Sequence, residues 1–114
     1  MENWKPLESL SQWQEIRQLS FEKPVLVFKH STRCSISQMA LDRWNRSWKK
    51  EDGDQMDAFY LDLLNHRDVS NAIASDTGVE HQSPQAILLI KGEPVLSETH
   101  QAIRLENFRS AVPA

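Results

Sequence analysis

Apolar and polar positions alternate in blocks that divide the chain into short elements. From Leu7 to Leu19 the apolar residues Leu10, Trp13, Ile16 and Leu19 recur at steps of three, which predicts a helix with one apolar face. Pro6 at its start, with Ser9 or Ser11 as cap, fits that reading. After Pro24, Val25-Leu26-Val27-Phe28 is short, apolar and β-branched, the pattern of a buried strand. A polar break, Lys29-His30-Ser31-Thr32, leads into a helix over Cys34–Lys49, with Ile36, Met39, Ala40, Trp44 and Trp48 on one side. Glu51–Asp54 reads as a loop and Ala58–Leu63 as a second strand. Asp68 and Ser70 offer caps for a helix over Val69–Asp76, which Gly78 ends. Gln85–Ile90 is an apolar strand, Lys91–Pro94 a turn, and Val95–Thr99 the returning strand of a hairpin. Ala102–Ser110 closes the chain as a helix carrying Ile103, Leu105 and Phe108.

Strand, helix, strand in succession predicts a right-handed parallel βαβ unit. A helix, an antiparallel hairpin and a closing helix then make an α/β fold with a central mixed sheet flanked by helices. The chain of 114 residues suits a single domain over 1–114. At this length roughly two-thirds of the surface is buried on folding, enough for a core without disulfides or metals. Trp44 and Trp48 fit that core better than a ligand site.

Charge and cysteine usage narrow the function. The net charge of −3 argues against a nucleic-acid surface, and the short basic pair Lys49-Lys50 is followed at once by Glu51-Asp52. The longest apolar run, Ala86–Ile90, is far too short to span a membrane, and the N-terminus shows no secretory leader pattern. One cysteine excludes an internal disulfide and points to a reducing, cytoplasmic setting. His30, His66, His81 and His100 are scattered and give no metal spacing.

The candidate chemistry lies where a strand becomes a helix. Cys34 falls at that junction, where the first backbone N–H groups lack intrahelical partners and the helix dipole is positive. Both favour a thiolate over a thiol, and Lys29, His30 and Arg33 stand nearby in sequence. A buried, inert cysteine is the competing reading, against which stand the polar neighbours Ser31, Thr32, Arg33, Ser35 and Ser37. Ser37 occupies the second position of a C-x-x-C spacing; its hydroxyl is placed to hydrogen-bond the thiolate, or it is an ordinary helix-start serine. Ser83-Pro84 opens a predicted strand, where a proline marks a special turn and a cis bond is one option.

These two segments carry a family resemblance. Phe28-Lys29-His30-Ser31-Thr32-Arg33-Cys34-Ser35-Ile36-Ser37, with Gly78-Val79-Glu80-His81-Gln82-Ser83-Pro84-Gln85, resembles the YtxJ-type monothiol bacilliredoxins, whose hallmark is K-H-S-T-x-C-x-I-S followed by G-V-x-H-x-S-P-Q. Many members have proline after the cysteine; here it is Ser35. The resemblance implies a thioredoxin-like fold, with Cys34 as nucleophile, Ser37 beside it and Pro84 as a cis-proline facing it. Thr32, Arg33, Ser83 and Pro84 are the implied substrate-binding residues, with Ser83 offering backbone groups to a bound partner. The implied task is removal of bacillithiol from protein mixed disulfides. Its partners are then bacillithiolated client proteins and bacillithiol or another low-molecular-weight thiol. Bacillithiol is a co-substrate, and no metal or other cofactor is implied. Bacillithiol carries a malate group, so Lys29 and Arg33 are candidate anion partners. His81 is read as packing the loop before Pro84.

Two other readings stay open from sequence alone. One is a glutaredoxin- or thioredoxin-like protein serving another small thiol, such as glutathione or coenzyme A. The other is a non-catalytic interaction module of the same fold, which predicts an unreactive Cys34. A peroxidase of peroxiredoxin type lacks the expected P-x-x-x-T-x-x-C context.

Overall fold

A parallel strand–helix–strand unit followed by an antiparallel hairpin organises the chain. The computed structural model describes residues 4–113. In chain order it runs β1 (Lys5–Pro6), α1 (Leu10–Leu19), β2 (Val25–His30), α2 (Ser35–Ser47), α3 (Lys50–Gln55), β3 (Asp57–Asp62), α4 (Arg67–Thr77), β4 (Gln85–Ile90), β5 (Glu93–Thr99) and α5 (Leu105–Ala111). The sheet order is β1-β3-β2-β4-β5. β1 and β2 lie parallel to β3, while β4 is antiparallel to both β2 and β5. This is the expected mixed sheet, with helices on both faces.

Because both faces are covered, β2 reads as a continuous apolar run. Leu26 and Phe28 enter one core with Trp44, Ala40, Leu41 and Phe108. Val25 and Val27 enter the other with Trp13, Ile16, Val69 and Ile73. Burying each such side chain contributes about 1.5–3 kcal/mol. Trp13 and Trp44 are fully buried, as expected; the Trp13 indole N–H donates to Asp76 at 2.8 Å.

Several boundaries differ from the sequence reading. Lys29 and His30 are buried β2 residues rather than a polar break, because their polar ends find partners inside the fold. Ile36 and Met39 are 51% and 66% exposed, so they are not on the core side of α2. The buried face is Ser37, Ala40, Leu41 and Trp44, spaced by three and four residues, and Ile36 and Met39 each stand one position off it. A similar shift exposes Leu10 and Leu19. Steps of three fall short of a full turn of 3.6 residues, so such a stripe slides around the helix and only Trp13 and Ile16 stay inside.

Helix α1 begins at Leu10 rather than Leu7, with Ser9 Oγ accepting the Gln12 N–H at 3.1 Å. The loop expected over Glu51–Asp54 is instead helix α3, held at its start by Asp52, which accepts the Lys49 N–H at 2.8 Å. Helix α4 is capped from His66 rather than Asp68 or Ser70, and Ser70 is buried; Gly78 ends the helix as expected, at φ 73°. The hairpin turn narrows to Lys91 and Gly92, both at positive φ, so β5 starts at Glu93. The last helix starts at Leu105 rather than Ala102, after a 3-10 turn over His100–Ala102.

Candidate functional site

Cys34 is the N-cap residue of α2, in extended backbone conformation and partly exposed. Its N–H donates to the Ser31 carbonyl at 3.1 Å, and its carbonyl accepts the Gln38 N–H at 3.0 Å. The sulfur therefore sits where the helix begins and where the first N–H groups have no partner within the helix. The strand that delivers it is fixed on both sides by β3 and β4.

Ser37, the third residue of α2, is fully buried. Its Oγ lies 2.6 Å from His30 Nδ1 and accepts the Ser31 N–H at 3.2 Å. The hydroxyl expected at the thiolate has His30 and Ser31 as hydrogen-bond partners. Burial holds the His30 pKa below its ordinary value, with the Asp62 and Asp42 carboxylates partly offsetting it. With a neutral His30 imidazole, either Ser37 Oγ donates to Nδ1 or Nδ1 donates to Ser37 Oγ, according to the tautomer.

Lys29 points to the opposite side of β2 and is also fully buried. Its Nζ donates to the Ser70 carbonyl at 3.2 Å and lies 3.3 Å from His81 Nδ1. Ser70 Oγ lies 3.2 Å from the same nitrogen. Burial lowers the Lys29 pKa to about 8. The His81 pKa is lowered by burial and by the charges of Lys29 and Arg67. Lys29 is therefore an internal tie between α4 and the loop before Pro84, not the free anion partner the sequence suggested. His81 packs this loop as expected.

The Ser83–Pro84 bond is cis. Pairing of Lys29 with Gln85 puts Pro84 level with His30, at the sheet end from which the Cys34 loop leaves. Pro84 is buried and its carbonyl accepts the His100 N–H at 3.2 Å. Ser83 Oγ is buried without a hydrogen-bond partner.

Thr32 and Arg33, both exposed, line a cleft of about 320 Å³ together with Leu64, Asn65 and Arg67. Sequence reasoning named the first two and missed the others. Arg67 lies far from Arg33 along the chain, and only the parallel pairing of β2 with β3 brings the loops after those strands together. Among the described residues, no three His, Cys, Asp or Glu side chains gather as metal ligands, and no helix is long and apolar enough to cross a membrane.

This combination of mixed sheet, helix-capping cysteine and strand-opening cis-proline defines a thioredoxin-fold redox protein. A solved structure described provisionally as an oxidoreductase with a thioredoxin fold is 36% identical, with TM-score 0.81, covering 96% of this chain and 94% of that one. At 12% identity, a thioredoxin of Malassezia sympodialis (TM-score 0.74, 95% and 86% covered) and thioredoxin O2 of Arabidopsis thaliana (0.73, 96% and 95%) share the fold. The family model described as monothiol bacilliredoxin BrxC matches residues 5–108, and the chain belongs to that family.

Proposed function

We propose that the protein is a cytoplasmic monothiol oxidoreductase that removes bacillithiol from client proteins through Cys34. The Cys34 thiolate attacks the bacillithiol sulfur of a client mixed disulfide. The old S–S bond breaks, the client leaves as a thiolate that takes up a proton, and a Cys34–bacillithiol disulfide forms. A second thiol then attacks this disulfide, releases Cys34 and becomes oxidised in its place, because the chain has no second cysteine. Thr32 and Arg33 contact the small thiol. The Ser83 backbone receives the disulfide partner as an added strand beside Pro84. Ser37 is a positioning residue here, acting through His30 and Ser31 on the loop that presents Cys34. No metal or other cofactor takes part.

The observation that carries this reading is the lone, partly exposed cysteine at the N-cap of α2 in a chain matched to the bacilliredoxin family over 5–108. Intact-mass analysis of the protein mixed with a bacillithiolated client tests it. The expected product is a one-to-one bacillithiol adduct at Cys34, absent in Cys34→Ser. Equal or faster transfer from a glutathionylated client overturns the bacillithiol preference. Transfer of neither thiol favours an interaction module.

A further inference from the structure

Ile36 and Met39 share the first turns of the helix that Cys34 caps, and both are more than half exposed. The core takes Ser37, Ala40, Leu41 and Trp44 of α2, so neither residue supports the fold. Single apolar residues are ordinary on a surface, but a pair at i and i+3 beside a reactive sulfur makes one continuous patch. Arg43 fixes its direction, because it continues the same stripe four residues after Met39. Arg43 Nη2 donates to the Ile103 carbonyl at 2.9 Å and to the Gln101 carbonyl at 3.4 Å, so this side of α2 faces the turn after β5. In that turn the His100 N–H donates to the Pro84 carbonyl at 3.2 Å. The sheet order sets the patch apart from the polar cleft. β4 and β5 lie on one side of β2, while Leu64, Asn65 and Arg67 of the cleft follow β3 on the other.

We infer that Ile36 and Met39 form a docking patch for an extended, apolar segment of the client polypeptide, and select clients by the residues that flank the bridged cysteine. The patch rests on the thiol-transfer reading and adds two specificity-determining residues to it. Its occupant follows from chemistry. A small thiol carrying carboxylates offers little apolar surface to cover two such side chains, whereas a polypeptide does. During exchange the client's sulfur stands in line with the attacked sulfur and Cys34, which brings the client chain across the start of α2. In an extended segment the side chains two residues from the cysteine share its face about 7 Å away. Met39, five residues along a helix rising about 1.5 Å per residue, lies about 7.5 Å from Cys34 along the axis.

The test uses a bacillithiolated peptide with a central cysteine and leucine two residues to either side, against the same peptide carrying serine there. The wild-type protein is expected to take bacillithiol from the leucine peptide about tenfold faster, the scale of half covering two apolar side chains. The double variant Ile36→Ser, Met39→Ser is expected to lose this preference and keep the wild-type rate with bacillithiol disulfide. Equal rates for the two peptides in the wild type overturn the patch, as does a preference that persists in the variant. So does a variant slowed equally with bacillithiol disulfide, because the two residues would then serve Cys34 rather than the client. NMR titration of the Cys34→Ser protein with the reduced, unmodified peptides reads docking without any disulfide exchange. Shifts of the Ile36 and Met39 methyl signals with the leucine peptide, and not with the serine peptide, support the patch even if the wild-type protein transfers no thiol. Their absence overturns it, even if transfer succeeds.

Discussion

His30 Nδ1 stands 2.6 Å from Ser37 Oγ, joining the end of β2 to the first turn of α2 across the loop that carries Cys34. Ser37 takes the position of a second redox cysteine, yet its hydroxyl faces a buried imidazole and the Ser31 N–H. The contact fixes the loop's two ends. It does so in a site where an unpaired polar group costs about 1–3 kcal/mol.

Ser37→Ala is therefore expected to destabilise the protein by about 1–3 kcal/mol, because it strands His30 Nδ1 and the Ser31 N–H. Urea unfolding measures this. The rate of Cys34 alkylation should change little in the folded protein. A fully stable variant with strongly slowed alkylation would show instead that the hydroxyl serves the sulfur directly.

Acid is expected to weaken the fold through His30. Burial keeps its folded pKa below the unfolded value near 6.5. Between those two values the unfolded chain binds a proton that the folded chain does not, so stability is full above the unfolded value and falls as pH drops below it. His81 shifts in the same direction and adds to the slope. Unfolding followed from about pH 7 to about pH 5 should show the loss, and His30→Gln should reduce its steepness. An identical slope in the variant would assign the effect to His81 alone.

Much of the site was legible because its parts are local. Four apolar residues in a row, then polar residues, then Cys34 mark a strand-to-helix junction, and Ser83-Pro84 marks the opening of β4. What stayed hidden depends on partners distant in sequence. Lys29 and His30 read as loop because long polar side chains enter a core only when the fold supplies acceptors, here Ser70, His81 and Ser37. Arg67 carries no local signal at all. Helix α3 was missed for a related reason: its sequence, K-E-D-G-D-Q, has no apolar period, and Asp52 is held by Arg109 on α5.

That last contact makes a stability prediction. Arg109 Nε and Nη2 each donate to Asp52 at 2.7 Å, and Nη2 also reaches the Ser47 carbonyl at 2.7 Å. Arg109→Ala leaves a nearly buried carboxylate without its cation and frees the junction of α2 with α3. A loss of about 2 kcal/mol is expected, below the roughly 3–5 kcal/mol of a fully buried broken pair because the arginine is partly exposed. Thermal or urea unfolding checks it. Since the Asp52 pKa is lowered, chiefly by the hydrogen bond from Arg109, the contribution is present above the ordinary carboxyl value and is lost as pH falls through the folded one.

Lys29 gives the opposite kind of prediction, in which a polar residue is expected to cost stability. Its ammonium is fully buried, with one backbone carbonyl and one imidazole nitrogen as partners and no carboxylate. The shift from 10.5 to about 8 corresponds to a penalty on the order of 3 kcal/mol for holding the charged form at neutral pH. Methionine has a similar reach and no charge, and replacing buried charges by apolar groups of like volume is often neutral or stabilising by about 1–4 kcal/mol. Lys29→Met should thus equal or exceed the wild type in stability near pH 7. The difference should shrink as pH rises from about 8 toward about 10.5, where the wild-type folded state sheds its proton while the unfolded chain still holds one. Function should move the other way. Without the ammonium, His81 loses its tie to β2 and keeps Ser70 as its partner, which loosens the loop that presents Ser83 and Pro84. Slower thiol transfer in a variant of undiminished stability is the expected signature, read by urea unfolding and transfer rate on the same preparation. A variant that loses both together would show that the ammonium supports the fold, and one that loses neither would detach Lys29 from the site.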